Sequence, residues 1–144
     1  MSLQLRIVTP DGEVVSTQVD TVRITGVEGE FGILPGHLPF LSGLEVGPAA
    51  FEVGKITRYF ALGQGYAEVF QDNVNVFVET ADEATDIDED SAKKMLAEAE
   101  ETLKSLEDDI DSQEYKSAHL LQKRALTQLD IAKLAVEYDR PGEK

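Results

Sequence analysis

The stretch that decides the fold is Tyr66–Leu103, "YAEVFQDNVNVFVETADEATDIDEDSAKKMLAEAEETL", because the period of its apolar residues changes inside it. "YAEVF" and "VNVFVE" alternate apolar with polar residues, as a strand with one buried face does, and Gln71-Asp72-Asn73 between them reads as a tight hairpin turn. After "ETADEATDID" the spacing becomes three or four. Ala92, Met95 or Leu96, Ala99, Leu103, Leu106 and Ile110 then fall on one face of a helix. Asp88 stands as its N-cap, with Glu89 and Asp90 in a first turn where the helix dipole favours acids. A β part ends and a helical part begins near residue 85.

Working outward toward the N-terminus, Leu3, Leu5 and Ile7 alternate up to the turn signal "TPDG", and Val19, Val22 and Ile24 alternate after it. "AAFEV" and "ITRYFAL" follow, with Gly54-Lys55 and Gly63-Gln64-Gly65 read as tight hairpin connections. Short strands at such close spacing predict an antiparallel sandwich or barrel. One segment resists: "GVEGEFGILPGHLPFLSGL", Gly26–Leu44, is too broken by Gly and Pro for a regular element and too apolar for a solvated loop. Toward the C-terminus, a second helix starts near "DSQE", where Asp111 and Glu114 have capping-box spacing. Its stripe runs through Ala118, Leu121, Ala125, Leu129, Ala132 and Val136, widened by Leu120, Leu126, Ile131 and Leu134. The expected architecture is β plus α: an N-terminal antiparallel β-sandwich over residues 1–84, then an antiparallel two-helix hairpin over residues 85–144 with arms of roughly 30–35 Å. Two helices bury little alone, so the hairpin must lean on the β part or on another chain.

The 144 residues carry a formal charge of −15, which argues against nucleic acid as a partner. Residues 1–80 hold 4 Lys and Arg against 10 Asp and Glu, and residues 81–144 hold 9 against 18, so the helical part is the more densely charged. No apolar run approaches the ~20 residues of a membrane span, so direct bilayer insertion is not expected, and the first residues do not read as a signal peptide. The absence of cysteine excludes disulfides and thiolate chemistry. His37 and His119 are the only histidines and neither has a metal-ligand spacing partner, while phosphate-loop, dinucleotide and nucleophile-elbow motifs are missing. No catalytic residue, metal or cofactor is expected. A two-part chain with an apolar Gly-Pro segment in place of an active site points to an interaction subunit.

"VTPDGEV" at Val8–Val14, "GEFGILPGHLPFL" at Gly29–Leu41, "GQGYAEVFQDNVNVFVETADEA" at Gly63–Ala84 and "DID" at Asp86–Asp88 resemble the epsilon subunit of bacterial F-type ATP synthase. Phe40 stands where that family has Leu, and Gly63-Gln64-Gly65-Tyr66 where Ser-Gly-Gly-aliphatic is common. The resemblance implies about ten strands in the sandwich. It also implies a non-catalytic rotor part at the cytoplasmic face of the bacterial cell membrane, binding the gamma subunit and the ring of c subunits in an ion-driven ATP-making complex. The family's ring-facing loop maps onto Glu30, Phe31, Ile33, Pro35, His37 and Leu38, with Glu30 and His37 outward. Its helices can fold back on the sandwich or extend toward the alpha/beta catalytic hexamer and restrain ATP hydrolysis. Some members bind ATP when folded back. Ile87, Asp88, Ala92 and Arg124 match that nucleotide motif, whereas Ser91 and Gln128 stand where arginines would be, so ATP binding is not expected. Lys116, Lys123, Arg124 and Lys133 are offset by Glu114, Asp130 and Glu137, which predicts moderate or weak inhibition. The alternative is a small β-sandwich enzyme or ligand-binding domain with a helical dimerisation hairpin.

Overall fold

Leu3–Thr9 (β1) turns Leu3, Leu5 and Ile7 inward, as its alternation requires, and pairs with Gly12–Val19 (β2) across the Pro10-Asp11 turn. The computed structural model describes residues 2–135, so Val136, the last position of the predicted helical stripe, Glu137 and the end of the hairpin to residue 144 lie outside the described residues. Eight more strands follow: Thr21–Gly26 (β3), Gly29–Ile33 (β4), Phe40–Leu44 (β5), Gly47–Val53 (β6), Ile56–Leu62 (β7), Gly65–Phe70 (β8), Asn73–Val78 (β9) and Ala81–Glu83 (β10). They form one folded-over sheet in the order β10-β7-β6-β3-β5-β8-β9-β1-β2, with β4 branching from β3. Pairing is antiparallel except between β1 and β9, which run parallel. Between the layers lie Leu3, Leu5, Ile24, Ile33, Phe60 and Val76, each almost wholly buried.

Two features of the sheet depart from the sequence reading. The segment Gly26–Leu44 is largely regular after all, because β4 and β5 account for ten of its residues. Gly63-Gln64 is a crossover and not a hairpin: β7 pairs with β6 and β10, while β8 pairs with β5 and β9. These glycines serve close approach. A Cβ on Gly63 would meet Thr80 Oγ1 at 2.6 Å, and one on Gly65 would meet the Phe77 carbonyl oxygen at 1.8 Å. The Gly63 N–H donates to Thr80 O and the Glu79 N–H to Gln64 O, so the crossover is laced to residues 79–80. The β8–β9 hairpin is as expected, with Gln71 at φ 50° and Asp72 at φ 62° in a two-residue turn.

A single 3₁₀ turn, Ala84–Asp86, leads to Glu89–Ser105 (α1). Asp88 caps α1 by accepting from the N–H groups of Asp90 and Ser91. The helix stops at Ser105, short of the predicted Ile110, which is 57% exposed in the turn. Glu107, Asp108, Asp109 and Asp111 would otherwise crowd the negative end of the helix dipole. Gln113–Ala132 (α2) is capped by Ser112, whose hydroxyl accepts from Tyr115 N–H at 3.1 Å, and not by Asp111. With 17 and 20 residues the arms measure about 25 and 30 Å, shorter than predicted for the first. Ala92 and Ala99 of α1 face Ala118 and Ala125 of α2, and α2 lies on β6 and β7.

Candidate functional site

Two places on this frame bear on function: a turn at one end of the sheet and the junction between α2 and the sheet. The turn is Leu34-Pro35-Gly36-His37. Its closing bond runs from His37 N–H to Leu34 O at 3.1 Å, and Gly36 sits at φ 84°. Pro followed by a positive-φ Gly is the signature of a type II turn. The free Gly36 N–H donates to Asp72 Oδ1 at 2.7 Å, tying the turn to the β8–β9 hairpin. His37 Nδ1 lies 2.7 Å from Leu38 O, so that nitrogen carries the proton. The His37 ring meets Phe40 edge-on at 5.7 Å, and Phe40 meets Phe31 at 5.1 Å, which packs on the main core. A column of rings thus anchors the turn, where Leu34 is 60% and Leu38, just after it, 78% exposed; on the outer face of the neighbouring strands, Leu41 of β5 is 69% and Phe70 of β8 58% exposed.

The ring-facing residues expected from sequence divide among three surroundings. Pro35, His37 and Leu38 belong to the turn, and Phe31 is its stem. Ile33 is fully buried and serves the core. Glu30 is exposed, but on the face of β4 opposite Phe31, where it lines a cavity of about 230 Å³ with Arg23, Tyr59, Asp130, Ile131 and Leu134. Gly29 and Gly36 adopt positive φ, whereas Gly32 does not. Leu41 and Phe70 were not singled out as exposed by sequence, because an exposed apolar residue in a strand has the same period as a buried one.

At the junction, Asp82 of β10 accepts from Arg124 Nε at 3.0 Å and Nη2 at 3.1 Å, and from Gln128 Nε2 at 2.9 Å. One turn further along α2, Ile131 is buried in a small cluster with Ala61, Ala84, Tyr59 and Ile87. On the other side of the same strands, Glu83 and Arg58 form a buried two-point ion pair with the guanidinium over Phe51 and Phe60. Of the nucleotide-motif residues, Ile87 packs in the small cluster, Asp88 caps α1 and Arg124 is engaged by Asp82. The Ser91 backbone N–H, then its hydroxyl, holds the Asp88 carboxyl below the usual carboxylate range, with the Asp90 N–H adding to this against a small desolvation effect. Asp82 and Asp72 escaped sequence reading because their partners lie 42 and 36 residues away and nothing in local spacing marks them.

A β-sandwich carrying a two-helix hairpin that lies on it through α2 is the architecture of the ATP synthase delta/epsilon chains, and the family comparison places this chain among them. Residues 2–84 match the family described as ATP synthase, Delta/Epsilon chain, beta-sandwich domain, and residues 85–133 match its long alpha-helix domain. The chain belongs to the ATP synthase epsilon chain family and is therefore a subunit of that complex, not a catalytic one. It is 42% identical over 130 residues to the ATP synthase epsilon chain of Geotalea daltonii, covering 90% of this chain and 93% of the relative. It is 41% identical over 130 residues to that of Nitratidesulfovibrio vulgaris, covering 90% and 95%. Its fold matches a chain of the Euglena gracilis mitochondrial ATP synthase, OSCP/F1/c-ring in rotational state 1, with TM-score 0.74 at 21% identity, over 93% of this chain and 82% of that one.

Proposed function

We propose that the chain is a rotor subunit that links the central stalk, through the gamma subunit, to the ring of c subunits, and that it sits peripherally at the cytoplasmic face of the bacterial membrane. The observation that carries this is the turn at residues 34–38: an exposed apolar tip on a rigid, ring-anchored stem. Rigidity means that little entropy is lost on docking, and a joint under torque gains from that. Pro35, His37, Leu38 and Leu34 form the docking surface, with Phe31 as its support. No helix among the described residues is long and apolar enough to cross a membrane, which fits docking onto a membrane-embedded ring. The Euglena structure is described with a c-ring, and a second fold neighbour, with TM-score 0.51 at 15% identity, comes from a Tetrahymena thermophila central stalk/c-ring structure, which is the setting this reading expects.

The hairpin is the regulatory part in this reading, leaving the sandwich to meet the alpha/beta hexamer. Nucleotide plays no part in holding it back. Arg124 is held by Asp82 through Nε and Nη2 and Gln128 through Nε2, and Ser91 cannot supply the missing guanidinium. The decisive experiment is ATP-driven proton pumping by the assembled enzyme carrying Leu38→Asp. Pumping should fall while hydrolysis continues; pumping equal to that of the unsubstituted enzyme would defeat the docking surface. Deleting residues 86–144 should change the ATPase rate of the assembled enzyme little, and a large rise would show that inhibition by the helices is strong.

A further inference from the structure

We propose that Asp72 is the positioning residue of the docking turn, its carboxylate selecting the peptide orientation that presents His37 and Leu38; this rests on the docking reading above. The bond from His37 N–H to Leu34 O closes a type I turn as well as a type II turn. The two differ by a half-rotation of the central Pro35–Gly36 peptide. Pro35 fixes its own φ but not the ψ that sets this peptide, and Gly36 tolerates either outcome. Pro35 and Gly36 thus favour the type II form without enforcing it.

Asp72 enforces it from outside. In the observed orientation the Gly36 N–H points at Asp72 Oδ1, 2.7 Å away. The flipped peptide would turn the Pro35 carbonyl oxygen toward the same carboxylate, exchanging a charge-assisted bond for a repulsion between two acceptors. The carboxylate is itself fixed in place. Asp72 stands at φ 62° in the two-residue β8–β9 turn, and its carbonyl accepts the Gln4 N–H of β1 at 2.8 Å. The neighbouring Asn73 side chain donates to Gln71 O, closing the turn from the other side. Glycine would occupy φ 62° more easily than aspartate, so the backbone alone does not account for a carboxylate here. Three strands, β1, β8 and β9, thereby support the turn between β4 and β5, of which β8 is already paired with β5 from Phe40 onward.

The test uses the full chain and three substitutions, Asp72→Gly, Asp72→Asn and Leu38→Asp, with two readouts. One is hydrogen exchange at the Gly36 amide; the other is capture by a detergent-solubilised complex of gamma and the c-ring. Asp72→Gly accepts the left-handed backbone but has no acceptor, so Gly36 exchange should accelerate and capture should weaken on the order of tenfold. Asp72→Asn keeps an acceptor oxygen and tolerates the same φ, but its NH2 group can donate to the flipped Pro35 carbonyl, so both readouts should fall between those of the unsubstituted chain and of Asp72→Gly. Unchanged Gly36 protection in Asp72→Gly overturns the proposal whatever the capture result. Accelerated exchange with undiminished capture overturns it too, provided Leu38→Asp weakens capture. If Leu38→Asp leaves capture intact, the docking reading itself fails, while Gly36 exchange still reports on Asp72.

Discussion

Gly65 and Gly32 show how differently one residue type can be constrained within one sheet. An added Cβ on Gly65 would lie 1.8 Å from the Phe77 carbonyl oxygen, a backbone atom that cannot move without parting β8 from β9. On Gly32 it would approach nothing closer than 3.9 Å, and the backbone there is ordinary. Gly65→Ala should therefore cost about 3 kcal/mol or more, and Gly32→Ala well under 1, measured by urea unfolding of the full chain. Asp82 is the other residue on which much depends. Replacing it with Ala removes three hydrogen bonds and leaves Arg124 half-buried without its counter-ion. The pair is partly solvated, so hairpin docking should weaken by about 1–2 kcal/mol, and added salt should weaken the unsubstituted clamp in the same direction. Amide exchange across α2 would record it, and unchanged protection there would show that Ile131 alone holds the helix down.

Among the elements, α1 depends most on a single cap. The Ser91 and Asp90 N–H groups stabilise the charged form of Asp88, so its folded pKa lies below the unfolded value. Such a group adds stability above the unfolded pKa and loses it as pH falls through the folded pKa. The first turn of α1 should thus loosen as pH drops below the ordinary carboxylate range, near 3.8, while its middle stays helical. Asp88→Asn, which caps without a titrating charge, should abolish that pH dependence; helix-start chemical shifts followed through an acid titration would show it. The cap was legible in the sequence because capping is local, as were the period-two strands and the Gln71-Asp72 turn. The start of α2 was misplaced by one residue, since Asp111 and Ser112 are both good caps and only the chain path decides between them. The role of Gly63 and Gly65 was also misread, because a glycine needed for close approach and one needed for a turn look alike in sequence. The clamp and the docking turn's brace were not legible at all. Asp82–Arg124 and Asp72–Gly36 are long-range contacts made by residue types that an acidic surface supplies in excess.

At the scale of the whole molecule, the two parts are unequal in what they can do alone. The main core draws all its fully enclosed side chains from Leu3 to Val78, so the sandwich owns its stability. Within the hairpin, the wholly buried residues at the α1–α2 contact are alanines, Ala92, Ala99, Ala118 and Ala125, which let the helices approach closely but bury little area each. The one large fully buried side chain in the described part of α2 is Ile131, and it is spent on Ala61, Ala84 and Tyr59 of the sheet side. Truncation to residues 1–84 should therefore leave a cooperatively melting β domain, its Tm lower by less than about 10 °C because only the docking of α2 is lost. The complementary fragment, residues 85–144, should be weakly helical and melt without cooperativity, since helices of this length gain most of their stability from a surface to pack on. Circular dichroism of the two fragments decides it. A sharp, two-state helical melt of residues 85–144 would mean that the hairpin holds itself together, and that leaving the sandwich requires no other surface to receive it.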